Sequence, residues 1–311
     1  MRNGLFGPVT GVATAVAVVS LALQIRTAGQ GTAEAPPKSL GGCPAETRSF
    51  HTCATEKAKT FDPPRTSAGR PDMQGFWRAE LTSDFSVEGV TDAEPRTRDA
   101  IMPWEVGAPM IVDPADGQIP YQPWAAKIGR KGVHYEKYVD PRTACGSGGV
   151  GRPVPGAYQF LQTEGDDHVL WLYDDQNTNR FIPTDGRPHI GKDIKLVQGD
   201  SVGRWEGTTL VVDVTSVKGS TWIDDAGNFY TDAAHIVERL TLIDPDTIHY
   251  QLTLEDPSAY TRPWTMAWAL SRDKKPGFEL LETACREGER DVPLFLKIGY
   301  RRYFGQSWRS R

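Results

Sequence analysis

The sequence predicts a mainly β protein, an antiparallel meander closing into a lipocalin-like β-barrel. Three observations carry this reading. The 9 Trp, 10 Tyr, 23 Pro and 31 Gly of the 311 residues favour a turn-rich β protein over a helical bundle. From Tyr158 onward, short runs of alternating apolar and polar residues recur between turn residues. Connections such as Glu164-Gly165-Asp166-Asp167 and Asp244-Pro245-Asp246 are short enough to require antiparallel neighbours. Successive strands without intervening helices must hide their edges, by barrel closure or, as the alternative, in a two-layer β-sandwich. A barrel of this size commonly holds a small ligand in its mouth.

Taken in order, the chain opens with Arg2 and then no charge until Arg26, around an apolar stretch from Val9 to Leu23. That is the layout of an export signal. The stretch is diluted by Thr10, Gly11, Thr14 and Ser20 and falls short of the roughly 20 apolar residues of a spanning helix. Residues 1–35 are therefore expected to be a cleaved signal peptide and the remainder periplasmic or secreted. Membrane contact is expected only through that segment if it stays uncleaved, or through lipidation. The Leu40-Gly41-Gly42-Cys43 run looks like an acylation site but lies far beyond the apolar stretch.

Residues 36–70 read as a polar, Pro-rich arm with a short helix near Ala54 to Lys59. The core domain, 71–290, begins at the turn before Phe76-Trp77. Residues 91–156 form a long irregular excursion with one helix around Pro123 to Arg130. Strands are then predicted at Tyr158 to Thr163, His168 to Tyr173, Asn179 to Pro183, Thr208 to Val214, Ile236 to Ile243, Thr247 to Glu255, Trp264 to Leu270 and Phe278 to Thr283. Residues 291–311 form a tail. Period-two alternation turns Glu238, Leu240 and Leu242 inward with Ile248, Tyr250, Leu252 and Leu254. It turns Arg239, Thr241, His249, Gln251, Thr253 and Glu255 outward. For Asp213 the alternation leaves open which side is the core.

In an exported chain four cysteines are expected to form two disulfides, with three possible connectivities against the alternative of free buried thiols, and the pairing expected is Cys43 with Cys53 and Cys145 with Cys285. The net charge of −5, with both signs mixed along the chain, gives no electrostatic reason to bind nucleic acid. No HExxH motif, closely spaced His pair or EF-hand loop occurs, so no metal site and no cofactor is expected. Asp224, Asp225, Asn228 and Asp232 are weighed as a calcium loop and read instead as a solvated turn. Gly199-Asp200-Ser201-Val202-Gly203 has the spacing of a nucleophile elbow, but a strand follows where a helix is needed, so it reads as a hairpin turn. Gly146 to Gly151 lacks the Lys-Ser or Lys-Thr of a phosphate loop and reads as a flexible loop held at Cys145.

Four stretches, Ile182 to His189, Gly199 to Asp213, Glu255-Asp256-Pro257 and Tyr260 to Thr265, make the chain similar to a group of secreted bacterial proteins with no assigned activity. The resemblance, extending from about Pro71 to Glu287, implies export and a shared fold. It implies no chemistry for any residue.

The candidate catalytic residues are Glu238 and His235 as base and acid, Arg180 as an oxyanion partner and His189 as a proton carrier. An inward Glu238 needs a partner, Arg180 or, across a bulge, Arg239, because an isolated buried carboxylate is costly. Glu238 and His235 face the same way only if the chain turns helically between them. Trp222, Tyr260, Trp264 and Trp205 are expected to line the cavity. The function expected is binding of a small amphipathic molecule, with cofactor-independent lyase, isomerase or hydrolase chemistry as an extension. The alternative is a polysaccharide-binding or structural periplasmic module. Oligomeric state is not legible.

Overall fold

Burial alternates along strands such as His168–Tyr173 and Asn179–Pro183 as the sequence pattern demands, while Trp264 to Leu270 is buried throughout. The computed structural model describes residues 39–81, 86–89, 108–129, 138–142, 145–153, 156–174, 178–219 and 221–281, with short stretches at 293–294, 297–299 and 301–302. The predicted signal segment lies outside the described residues. The chain divides between Pro36 and Pro37, and the described residues belong to the second unit.

Two short strands, β1 (Ser39–Leu40) and β2 (Cys43–Pro44), pair with each other and lead into helix α1 (Thr47–Ala58). The core domain opens with β3 (Gly75–Glu80), and the excursion supplies β4 (Ile111–Asp113), α2 (Pro123–Gly129) and β5 (Tyr138–Val139). There follow β6 (Ala157–Gln162), β7 (His168–Tyr173), β8 (Asn179–Pro183), β9 (Asp200–Glu206), β10 (Thr209–Thr215), β11 (His235–Asp244), β12 (Thr247–Glu255), β13 (Trp264–Arg272) and β14 (Arg301–Arg302). The main sheet runs β8-β7-β6-β3-β13-β12-β11-β10-β9, every neighbour antiparallel, with β4 added on β13. Its two ends, β8 and β9, come back into contact, so the sheet is nearly closed into a barrel. Among the described residues no backbone ladder joins that pair. Gly203 marks the approach: a Cβ there would stand 2.8 Å from Thr184 Cγ2 and 2.9 Å from Ile182 Cγ2.

The inward faces of β11 and β12 are as the alternation requires, with Glu238, Leu240 and Leu242 beside Ile248, Tyr250, Leu252 and Leu254 inside. Leu210, Val212 and Val214 also face the core, which sends Asp213 outward. Trp77, Tyr158, Phe160, Trp171, Trp264, Met266 and Trp268 complete a heavily aromatic interior.

Four expectations are corrected. The arm's helix is longer and earlier than Ala54 to Lys59, because the Glu46 carboxylate caps it by accepting from the Arg48 N–H at 3.1 Å and the Ser49 N–H at 2.8 Å. The described part of the predicted Phe278 to Thr283 strand is not a strand: residues 278–281 lie off the sheet, where Phe278 packs edge-on at 5.2 Å against Phe76, and 282–283 lie outside the described residues. Ser201 sits within β9, and the hairpin turn falls at Gly207. The Gly-rich loop is packed rather than loose. Val150 is buried in the core, its carbonyl accepts from the Tyr230 hydroxyl at 3.2 Å, and a Cβ at Gly149 would meet Thr221 Cγ2 at 2.5 Å.

Cys43 and Cys53 form a disulfide that ties β2 to α1. Cys145 is also disulfide-bonded; Cys285 lies outside the described residues. Helix α1 covers the outer face of the sheet, burying Phe50 and Ala54 with Ile243 and Ala269. The register shifts between Leu242 and Asp244, and the extra residue, Ile243, is what reaches the helix. Under the same helix His249 is buried, with its Nε2 3.0 Å from His51 Nδ1. Burial, then the neighbouring His51, pushes the His249 pKa down to about 3; burial also lowers that of His51. The unfolded chain takes up these protons near the ordinary histidine pKa of about 6.5 and the folded chain refuses them. Stability is therefore complete above about pH 6.5 and is lost as pH falls towards 3, by about 1.4 kcal/mol per pH unit for His249. Urea midpoints measured at pH 7.5 and pH 5 should fall for the native protein and fall distinctly less for His249→Gln. Identical pH slopes would refute this assignment.

Candidate functional site

Inside the barrel, one polar cluster interrupts the aromatic and aliphatic packing. Arg180 on β8 faces inward between Trp171 and Ser201. Its Nη1 donates to Glu238 Oε1 at 2.9 Å and its Nη2 to Glu238 Oε2 at 2.6 Å, a bidentate pair reaching from β8 to β11. Nη2 also donates to Ser201 Oγ on β9 at 2.8 Å. The Tyr250 hydroxyl donates to Glu238 Oε1. Both members of the pair are buried, with side chains 2% and 1% exposed. Burial alone would lower the Arg180 pKa, but the Glu238 carboxylate outweighs it and holds the guanidinium well above its ordinary value. Burial, reinforced by the Glu238 charge, pushes the Tyr250 hydroxyl well up, so it stays a donor.

Aromatic rings surround this cluster. The Arg180 guanidinium lies 5.3 Å from the Trp171 ring, Trp171 packs edge-on at 5.6 Å against Tyr250, and Tyr250 packs edge-on at 4.3 Å against Trp268. Trp171 also stacks on Tyr173 at 5.3 Å. Three N–H groups of this network, Arg180 Nε, Trp171 Nε1 and Trp268 Nε1, are buried and have no acceptor among the described residues. Buried donors are rarely left unmet, because an unmade hydrogen bond costs about 1–3 kcal/mol.

The predicted site residues divide between the two sides of the sheet. Strand β11 is continuous, so Glu238 points in and His235 points out, and they do not meet. On the outer side His235 and His189 share one carboxylate. His189 Nδ1 is 2.6 Å from Asp200 Oδ2, His189 Nε2 is 2.9 Å from Asp213 Oδ1, and His235 Nε2 is 3.0 Å from Asp213 Oδ2. His235 Nδ1 stands 3.7 Å from Glu255 Oε2. Arg187 closes a bidentate pair on Asp185 in the preceding turn.

Of the predicted cavity residues, Trp264 and Tyr260 belong to a second aromatic cluster. Tyr260 packs edge-on at 5.8 Å on Trp264 and tilted at 5.5 Å on Tyr121, and its hydroxyl donates to the Phe229 carbonyl at 2.7 Å. Trp264 is four residues from Trp268 on β13, about 13 Å away along an extended strand. Trp222 is buried in the 216–234 connection, bridged to Phe229. Trp205 faces inward on β9 and is half-buried. Asp224 and Asn228 are buried, not solvated as read from sequence. The Asp224 carboxylate accepts from the Val87 N–H and from both Asn228 N–H groups, while Asp225 pairs with buried Arg152.

Sequence reasoning missed Tyr250, Ser201, Trp171 and Trp268 as members of the inner cluster, and Asp200 in the outer one. The inward alternation of Tyr250 was available as a signal; for Asp200 there was none. Compared with family models and with curated proteins, the chain matches none. Fold and site together define an antiparallel β-barrel with one polar cluster buried in an aromatic interior.

Proposed function

We propose that this is an exported binding protein whose barrel interior takes a small amphipathic molecule, with a flat apolar body among the rings and a head group that accepts hydrogen bonds. The observation that carries the reading is the trio of buried donors on Arg180, Trp171 and Trp268 that have no acceptor among the described residues, grouped around Tyr250. A carbonyl or carboxylate oxygen meets what these groups lack, and the rings supply apolar contact. Glu238 is held by Arg180 and Tyr250, and both histidines face the other side of the sheet, so binding is favoured over acid–base turnover. The disulfide and the buried tryptophans fit an extracytoplasmic carrier better than a polysaccharide module, which displays its aromatic rings on a flat surface. Among the described residues no helix is long and apolar enough to cross a membrane.

Anilinonaphthalene sulfonate, a flat amphipathic anion, serves as the probe. It should bind one per chain with quenching of tryptophan emission. Trp171→Phe keeps a ring and deletes the N–H, and should weaken binding about 5- to 20-fold, the worth of roughly 1–2 kcal/mol for one donor. An unchanged dissociation constant in both Trp171→Phe and Trp268→Phe counts against the reading. Mass spectrometry of small molecules retained by the protein purified from its own host then identifies the ligand.

A further inference from the structure

Resting on the binding reading above, we propose that the molecule this barrel takes is uncharged and carries no O–H or N–H: a flat aromatic ketone, quinone, lactone or ester rather than an acid or an alcohol. Charge is the first reason. The two Nη groups of Arg180, the fork with which arginine grips a carboxylate, already donate to Glu238 at 2.9 and 2.6 Å, and Nη2 also donates to Ser201 at 2.8 Å. What the guanidinium leaves over is its Nε–H. The positive charge of Arg180 and the negative charge of Glu238 cancel. Burial raises the Tyr173 and Tyr250 hydroxyls above the usual phenol range, so they add no charge. The cluster is therefore neutral, and a ligand carboxylate would stand beside Glu238 with no cation of its own. An uncompensated buried charge is far more costly than a buried neutral oxygen.

The second reason is the kind of group left unmet. Arg180 Nε, Trp171 Nε1 and Trp268 Nε1 are all donors. Trp205 supplies a fourth: strand register places it on one inward row with Leu210, Leu240, Tyr250 and Trp268, and its Nε1 too is buried with no acceptor among the described residues. The buried acceptors without a partner among the described residues are Asp166 Oδ1, in the turn between β6 and β7, and Gln198 Oε1, in the 184–199 connection. Neither belongs to the cluster. A ligand hydroxyl would give up its hydrogen bond to water and find no unpartnered acceptor in exchange, whereas a carbonyl brings two lone pairs and no proton. The rings favour an aryl body over a flexible chain. Trp171 and Tyr173 stack at 5.3 Å, and Trp268 stands edge-on to Tyr250 at 4.3 Å.

The test compares three naphthalene probes at pH 7.5: prodan, a neutral dimethylaminonaphthyl ketone; the alcohol made by reducing that ketone; and anilinonaphthalene sulfonate. Prodan should bind one per chain, about 10-fold or more tighter than the sulfonate and about 10-fold tighter than the alcohol. In Glu238→Gln the cluster carries the unopposed charge of Arg180, so the preference should move about 10-fold or more towards the sulfonate. Thermal melting checks that this variant folds. Should it not fold, Trp171→Phe decides, and prodan should lose about 5- to 20-fold through the deleted N–H. A sulfonate or an alcohol that binds the native protein as tightly as prodan overturns the proposal and leaves the carrier reading standing. So does a preference unchanged in folded Glu238→Gln, or prodan affinity unchanged in Trp171→Phe. Failure of all three probes to bind the native protein overturns the carrier reading and this proposal together.

Discussion

Glu238→Gln is expected to destabilise the protein by about 3–5 kcal/mol, the usual consequence of breaking a buried ion pair from one side. The substitution preserves shape but strands the buried Arg180 guanidinium, which donates to both Glu238 oxygens. Burial cannot resolve the conflict by deprotonation, since arginine stays charged. Arg180→Met/Glu238→Leu removes both charges and fills similar volume, so it should recover most of the loss. Urea unfolding of Arg180→Met, Glu238→Leu and the double variant forms the cycle. A loss under about 1 kcal/mol for Glu238→Gln, or a double variant as unstable as the sum of the singles, would show that the two do not act as a unit. The double variant also separates stability from recognition, because it should fold yet bind the anionic probe more weakly than the native barrel.

Trp264→Ala should cost a similar amount, about 3–5 kcal/mol, through cavity formation rather than charge. The ring has no exposed surface and supports Tyr260, whose hydroxyl holds the Phe229 carbonyl. Its loss therefore loosens the 216–234 connection as well as the sheet. Probe affinity of the folded fraction should stay within about twofold, because Trp264 lies roughly 13 Å from Trp268 along the strand. A large affinity loss with unchanged stability would return Trp264 to the ligand site where sequence reading placed it.

Strand pairing was legible because its signal is local. Alternation in Thr247–Glu255 is strict, its partner is one turn away, and the inward set from Glu238 to Leu254 emerges directly. Barrel closure was legible from the absence of helices between strands. The inner pair was half legible: an inward Glu238 demanded a cation, and the sequence offered Arg180 or, across a bulge, Arg239. The outer cluster was not, since Asp200, Asp213 and His235 meet across three strands and His189 arrives from a connection. Helix α1 was under-read because Glu46 is an unusual cap, although Thr47, Phe50 and Ala54 already mark its buried stripe. The 199–203 stretch misled because its two glycines suggest a turn, whereas Gly203 is needed where β8 and β9 approach.

Parity gives the unladdered β8–β9 junction a further meaning. Eight antiparallel steps lead around the sheet from β8 to β9, so these two strands run the same way. A ring of nine alternating strands cannot close without one such mismatch, just as an odd cycle cannot be coloured in two colours. Like-directed neighbours cannot be joined by a tight hairpin; the chain must travel the length of the barrel between them. Residues 184–199 are that return path, and they carry His189 to Asp213. An arithmetic obligation of the fold thus sets a long connection beside the one joint held by side chains, where Arg180 bonds to Ser201.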